Sequence, residues 1–233
     1  MKKSIKFNKK IVLFILFIML FFIHFIRNAI IISSLNKKIT KYENITNYHE
    51  IWSTYSNESI TIFDVYYKDG KYKQILTHYD YNSFIKNDEP PSKVLTYRDE
   101  NGKETTFFYN EKIISSNYKN ETSKISPQNM SHITMAKETP LNFILSCFNS
   151  FITSDACNGI DAYKIYNIIE KSSAHFSKET GLTIRSSSGF SYGSYNEEQK
   201  YVDCISDIIY EFYTVTDEDF LIPSTDGFII QEN

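Results

Sequence analysis

Every residue from Ile11 to Ile23 is apolar, and after His24 the pattern resumes with Phe25, Ile26 and Ala29–Ile32, interrupted by Arg27 and Asn28. Residues 11–32 make about 33 Å of helix at 1.5 Å per residue, enough to cross the hydrocarbon core of a bilayer. Lys2, Lys3, Lys6, Lys9 and Lys10 precede the run, which predicts an N-terminus on the cytoplasmic side and the rest of the chain outside. Arg27 falls near the outer end, where its stem can carry the charge to the headgroups. The chain is thereby divided into a basic cytoplasmic tail (1–10), a single-pass signal anchor (11–32) and an extracytoplasmic domain (33–233). A cleaved signal peptide competes with this reading, but cleavage needs small residues in an A-x-A-like pattern. Arginine and isoleucine stand around Ala29 and Ser33 instead, and no cysteine precedes Cys147 to accept a lipid. A buried helix of a soluble protein is the third reading.

Beyond the span, Leu35, Ile39, Tyr42, Ile45 and Tyr48 recur every three to four positions and predict an amphipathic continuation of the helix. The period then changes to that of strands. Residues 59–67 and 72–79 flank Asp69-Gly70, and residues 93–99 and 104–109 flank Asn101-Gly102, the dipeptides of two-residue hairpin turns. Glu100 and Lys103 are expected to pair across the second turn. A short strand at Ile113-Ile114 extends the meander. Pro140 then opens a helix over 140–153 with Leu141, Ile144, Leu145, Phe148 and Ile152 on one face. Strands follow at 161–169, 173–177, 182–187 and 201–215. The predicted fold is α+β: a curved antiparallel sheet, an incomplete barrel, whose concave face is covered by helices.

Charge sharpens the division. None of the 28 acidic residues, but six of the 25 basic ones, lie in the first 32 positions, so the remainder carries a net charge of −9. Such a surface argues against nucleic acid and against electrostatic docking on anionic lipid. Three cysteines allow one disulfide. Cys147 with Cys157 is the favoured pair, Cys157 with Cys204 the alternative, and three buried thiols the third possibility.

Candidate chemistry is sparse. Gly189-Phe190-Ser191-Tyr192-Gly193 has the G-x-S-x-G form of a hydrolase elbow, yet the last histidine, His175, precedes Ser191 instead of following it. Asp217, Glu218 and Asp219 lack the alternating spacing of a calcium loop. The five histidines lack the spacing of a zinc site. No catalytic residue, metal or cofactor is therefore assigned. Trp52, the single tryptophan, with Phe63, Val65 and Tyr67 on alternating positions, forms a candidate lining for an apolar ligand, and Leu145 and Phe148 of the second helix join it.

Three segments carry a resemblance. Tyr66-Tyr67-Lys68-Asp69-Gly70-Lys71-Tyr72-Lys73, Gly159-Ile160-Asp161-Ala162-Tyr163-Lys164-Ile165 and Phe176-Ser177-Lys178-Glu179-Thr180-Gly181-Leu182-Thr183-Ile184-Arg185 are similar to hairpins of the LolA/LppX-type lipoprotein carriers. The ending, Tyr210-Glu211-Phe212 with Val215–Phe220 and Pro223, fits as well. The chain resembles a membrane-anchored relative of that fold from low-GC Gram-positive bacteria. The resemblance implies a half-barrel with a helical lid and an apolar face that receives acyl chains of a lipid or lipoprotein, without catalysis. It departs from the carriers in its helical tether. The alternative expectation is a protein-interaction or sensory ectodomain of an envelope-stress or sporulation system.

Overall fold

The structure is a computed structural model that describes residues 9–42, 44–81, 90–118, 140–169, 171–192 and 200–232. One helix, α1 (Lys9–Ile39), runs without a break from the apolar segment into the domain and ends in a 3-10 turn, Thr40–Tyr42. Six strands follow: β1 (Asn47–Tyr55), β2 (Ser59–Lys68), β3 (Lys71–Asp80), β4 (Ser92–Arg98), β5 (Lys103–Phe108) and β6 (Ile113–Tyr118). After helix α2 (Pro140–Asn149) come β7 (Ser150–Cys157), β8 (Ile160–Asn167), β9 (Ser172–Ser177), β10 (Thr183–Tyr192) and β11 (Lys200–Phe212). A second 3-10 turn (Glu218–Phe220) and a short β12 (Ile229–Glu232) end the chain.

All twelve strands form one open, curved sheet, in the order β12-β6-β5-β4-β3-β2-β1-β11-β10-β9-β8-β7. Neighbours are antiparallel except β12, which lies parallel to β6. The sheet is continuous through its middle because β1 pairs with both β2 and β11, joining the two sets of hairpins.

Local chemistry explains most of the elements. Asp69 and Gly70 both take positive φ, as do Asn158 and Gly159, and each pair closes a tight hairpin. The Asn101-Gly102 turn differs from the expected one: only Gly102 is left-handed, at φ 82°. Asp99 organises this turn by accepting from the amides of Asn101 and Lys103 at 2.9 Å each. The cross-strand ion pair is Arg98–Glu104 at 3.2 Å, not Glu100 with Lys103. Strand also replaces helix at two places. Residues 47–55 form β1, and residues 150–157 form β7, so α2 stops at Asn149.

The sheet is covered on opposite faces at opposite ends. At the β7–β9 end, Ile32 and Leu35 of α1 are buried with Cys147, Ile152, Ala174 and Phe176. The buried side chain of Asn28 donates to the carbonyls of Cys147 (2.9 Å) and Ser150 (2.7 Å), tying α1 to the α2–β7 junction. At the β3–β6 end the opposite face carries Leu95, Phe107 and Ile114, closed by Phe228 of the C-terminal segment. Cys147, Cys157 and Cys204 are buried free thiols. The expected Cys147–Cys157 bridge is not made: the whole of extended β7, about 23 Å at roughly 3.3 Å per residue, lies between the helix end and Cys157, beyond any disulfide's reach.

The turn after β9 lies directly against the backbone of α1. Gly181 has φ +79°, and a Cβ there would stand 2.7 Å from the Leu35 carbonyl oxygen and 3.1 Å from side-chain atoms of Lys38 and Ile39. The Lys38 ammonium also donates to the Lys178 carbonyl of the same turn. Gly70 is equally left-handed but has nothing within 4 Å of its missing Cβ. Gly70→Ala should therefore cost about 1 kcal/mol from backbone strain alone, and Gly181→Ala at least about 2 kcal/mol. Urea unfolding of both variants checks this, and equal midpoints would contradict the close contact between helix and turn.

Candidate ligand-binding face

Residues directly opposite one another in adjacent strands share a face. Following the register outward from Ile152, Ile165 and Ala174, which pack on α1, places Ser186, Ser206 and Ile208 on the same, helix-bearing side. From Ile208 the pairing continues through Trp52, Phe63, Leu76, Val94, Phe108 and Ile113. One unbroken apolar row thus crosses seven strands, about 29 Å at roughly 4.8 Å per strand. Ile208 is buried, and the other six are half-buried. The Trp52 and Phe63 rings stack at 5.3 Å.

Polar rows flank this belt. On one side run Ser206, Thr54, Thr61, His78 and Ser92. Thr54 and Ser206 share a hydrogen bond at 2.9 Å, as do Thr61 and His78. On the other side run Tyr210, Glu50, Val65, Gln74, Thr96 and Thr106, with a more distant row of Phe212, Tyr48, Tyr67, Tyr72, Arg98 and Glu104. The arrangement is an amphipathic trough whose apolar floor is half-buried, flanked on one side by hydroxyls and on the other by polar side chains of which Glu50 and Tyr48 are buried.

Glu50 is the unusual member. It is 98% buried, and its Oε1 has no hydrogen-bond partner among the described residues; nor do the Tyr48 hydroxyl and the Trp52 indole N–H. Burial pushes the Glu50 carboxyl up to about 7. Burial likewise raises Tyr48 and Tyr210 above the ordinary phenol range, with Glu50 adding to both. Tyr72 is pushed up to about 12 by burial against the opposing pull of Arg98. At neutral pH, Glu50 is therefore poised between a carboxyl that donates and a carboxylate that accepts.

The structure brings together four of the six expected lining residues: Trp52, Phe63, Val65 and Tyr67 all lie on this face. Leu145 and Phe148 do not join them. Phe148 stacks on Phe21 (4.9 Å) and Phe25 (4.6 Å) of α1, and Leu145 is exposed on α2. Sequence reasoning missed Leu76, Val94, Phe108, Ile113 and Ile208. Leu76 was within reach, because a two-residue turn at Asp69-Gly70 fixes Phe63 opposite Leu76. Ile208 depends on the long-range β1–β11 pairing, which no local signal specifies.

The remaining candidates are otherwise engaged. Gly189 and Ser191 lie within β10, paired to Asp203 and Tyr201 of β11, whereas a nucleophile elbow requires a strand-to-helix turn. Gly193 lies outside the described residues. Asp217 forms ion pairs with Lys68 (3.3 Å) and Lys71 (3.2 Å), and the Asp219 carboxylate accepts from the Thr216 amide and hydroxyl. On the opposite face, His49 sits between Asp64 (2.6 Å) and Glu211 (2.9 Å). Burial would lower its pKa, but the hydrogen bonds to Glu211 and Asp64 outweigh that and raise it. This cluster ties β1, β2 and β11 together away from the trough.

No protein-family model and no curated protein matches the sequence. Among solved structures, the crystal structure of MucB aligns with a TM-score of 0.40 and 12% identity, covering 85% of this chain and 64% of that one. This chain thus covers less than two thirds of the MucB chain, and a likeness this distant assigns no role.

A raised carboxyl pKa means that the folded state binds a proton the unfolded chain releases. Stability should therefore decline as pH rises from about 4.5 to about 7, by roughly 3 kcal/mol, and level off above. Glu50→Gln should remove that slope and unfold at a higher urea concentration than the wild type at pH 8. Identical pH dependence in the two proteins would show that Glu50 is not a buried carboxyl of this kind.

Proposed function

We propose that the protein is a noncatalytic, membrane-tethered binding domain whose trough holds the acyl chain of a lipid or lipidated molecule. The observation that carries this reading is the apolar row from Ile208 to Ile113 between polar rims. The row matches a long hydrocarbon chain in extent, and the half-buried hydroxyls of Thr54 and Thr61 on its flank offer hydrogen bonds to the polar end. α1 is long and apolar enough to cross a membrane, and the lysines at its start favour a cytoplasmic N-terminus with the sheet outside. The anchor holds the trough at the surface of the cell membrane and confines ligand exchange to that side.

A second reading draws on the sheet's edge. Ile229 and Ile230 of β12 are exposed, and an apolar edge strand can accept a strand from a partner protein. The same domain would then act as an interaction or sensory module.

Trp52 lies in the apolar row and is the natural reporter. Titrating the full-length protein in nanodiscs with nitroxide-labelled fatty acids should quench its fluorescence saturably. Half-saturation should fall roughly fourfold for each added methylene, about 0.8 kcal/mol, until the row is filled. Leu76→Lys should raise half-saturation at least about tenfold. Quenching that is linear in ligand and unchanged by Leu76→Lys would contradict the proposal and favour the protein-partner reading.

A further inference from the structure

The apolar face of α1 does not end where the domain begins. Residues 11–23 are exposed along the helix, yet Phe21 and Phe25 already stack on Phe148 of α2, and His24 lies against Phe151 at the start of β7. Phe21 is only about 15 Å along the helix from Ile11, and Phe25 about 21 Å, whereas the hydrocarbon core is about 30 Å thick. If α1 crosses the membrane, the side chains stacked on Phe21 and Phe25 lie at the depth of the outer leaflet.

The surface around that point has the matching chemistry. Leu141, Ile144 and Leu145 are exposed on α2, and Phe151 is exposed on β7. Ile168 and Ile169 are exposed in the turn after β8, with Ile169 at 71%. That turn is held at the α2–β7 junction by the Ile168 amide, which donates to the Asn149 carbonyl at 2.9 Å. Tyr166 and Lys171, both exposed, are residue types that settle at the headgroup level and limit how deep the tip enters.

Between the helices lies an open groove of about 570 Å³ lined by Phe25, Ile26, Ala29, Ile30 and Phe143 at one end and by Ser33, Ser34 and Lys37 at the other. Its polarity changes along the helix in the sense of a phospholipid: hydrocarbon toward the span, hydroxyls next, a cation outermost. Asn28 does not line this groove: it is fully buried, its amide nitrogen directed at the Cys147 and Ser150 carbonyls and at His24, so a polar group within the nominal span is withdrawn from lipid.

We infer that α2 and the α2–β7 junction are immersed in the outer leaflet, with an acyl chain of a bilayer phospholipid lying in the α1–α2 groove. The domain is then seated in the membrane in one orientation. This inference rests on the proposed anchoring by α1, and the test separates the two.

In a Trp52→Phe background, single tryptophans are placed by Phe17→Trp in the span, Leu145→Trp and Ile144→Trp on α2, and Leu221→Trp on the exposed C-terminal segment. The full-length proteins are reconstituted into nanodiscs of acyl-brominated phosphatidylcholine and compared with unbrominated discs. The inference predicts at least about twofold quenching at positions 17 and 145 or 144, and none at 221. Quenching at 17 but at neither α2 position overturns immersion while leaving the anchor intact. Absence of quenching at 17 overturns the anchor, and immersion with it.

Discussion

The architecture depends on a single close approach, that of the C-terminal half of α1 to the turn between β9 and β10. The Leu35 carbonyl lies where a Cβ on Gly181 would have to be, so the helix backbone rests on the turn with no side chain between them. That proximity buries Ile32, Leu35 and Ile39 and sets the helix across the β7–β9 end of the sheet. It also delivers Asn28 to the α2–β7 junction, where its amide satisfies two carbonyls at a helix end that would otherwise lack donors. Apolar segment, first domain helix and one end of the sheet therefore form one body. There is no linker between the apolar segment and the domain, so the direction of one determines that of the other.

Because α1 is committed to one end, it does not cover the Trp52–Phe63–Leu76 row farther along the same face. The C-terminal segment packs on the opposite face, where Phe220 and Phe228 meet Tyr97 and Phe107, and leaves the Trp52–Phe63–Leu76 row half-buried. Neighbouring residues thus have separate fates. Ile75, Leu95 and Ile114 belong to a closed core, while Leu76, Val94 and Ile113, one step along the chain, face the trough. A strand buried on both faces reads as a continuous apolar run, and the surplus of aromatic and branched residues in β2–β5 reflects this double demand.

Much of this was legible in the order of residues. Asp69-Gly70 marks a hairpin by a backbone requirement that few other residues meet, and the expected strands 59–67 and 72–79 match β2 and β3 to within a residue at each end. What was hidden follows from polar groups in inward positions. β1 carries Glu50 between Tyr48 and Trp52 on its inner face, which blurs the alternation of a strand and lets the helical period of α1 seem to run on. β7 follows α2 directly, and Ile152, which continues the helical spacing, is buried from a strand instead. The parallel pairing of β12 and the junction of β1 with β11 are long-range choices made by burial. Phe148 meets α1 and not the trough, and Leu141, Ile144 and Leu145 of the same expected face are exposed, because sequence does not say which hydrophobic partner a helix face will meet.

The central claim is that the face bearing the row from Ile208 to Ile113 receives a hydrocarbon chain and the face behind it does not. Methyl resonances separate the two, since Ile75 and Leu76, Val94 and Leu95, and Ile113 and Ile114 are adjacent in the chain and opposite in the sheet. With a nitroxide-labelled fatty acid bound to the full-length protein, the account predicts strong paramagnetic broadening of Leu76, Val94, Ile113 and Ile208. Ile75, Leu95 and Ile114 should be much less affected. Broadening that is equal on the two faces, or confined to methyls of α1 and α2, would contradict it.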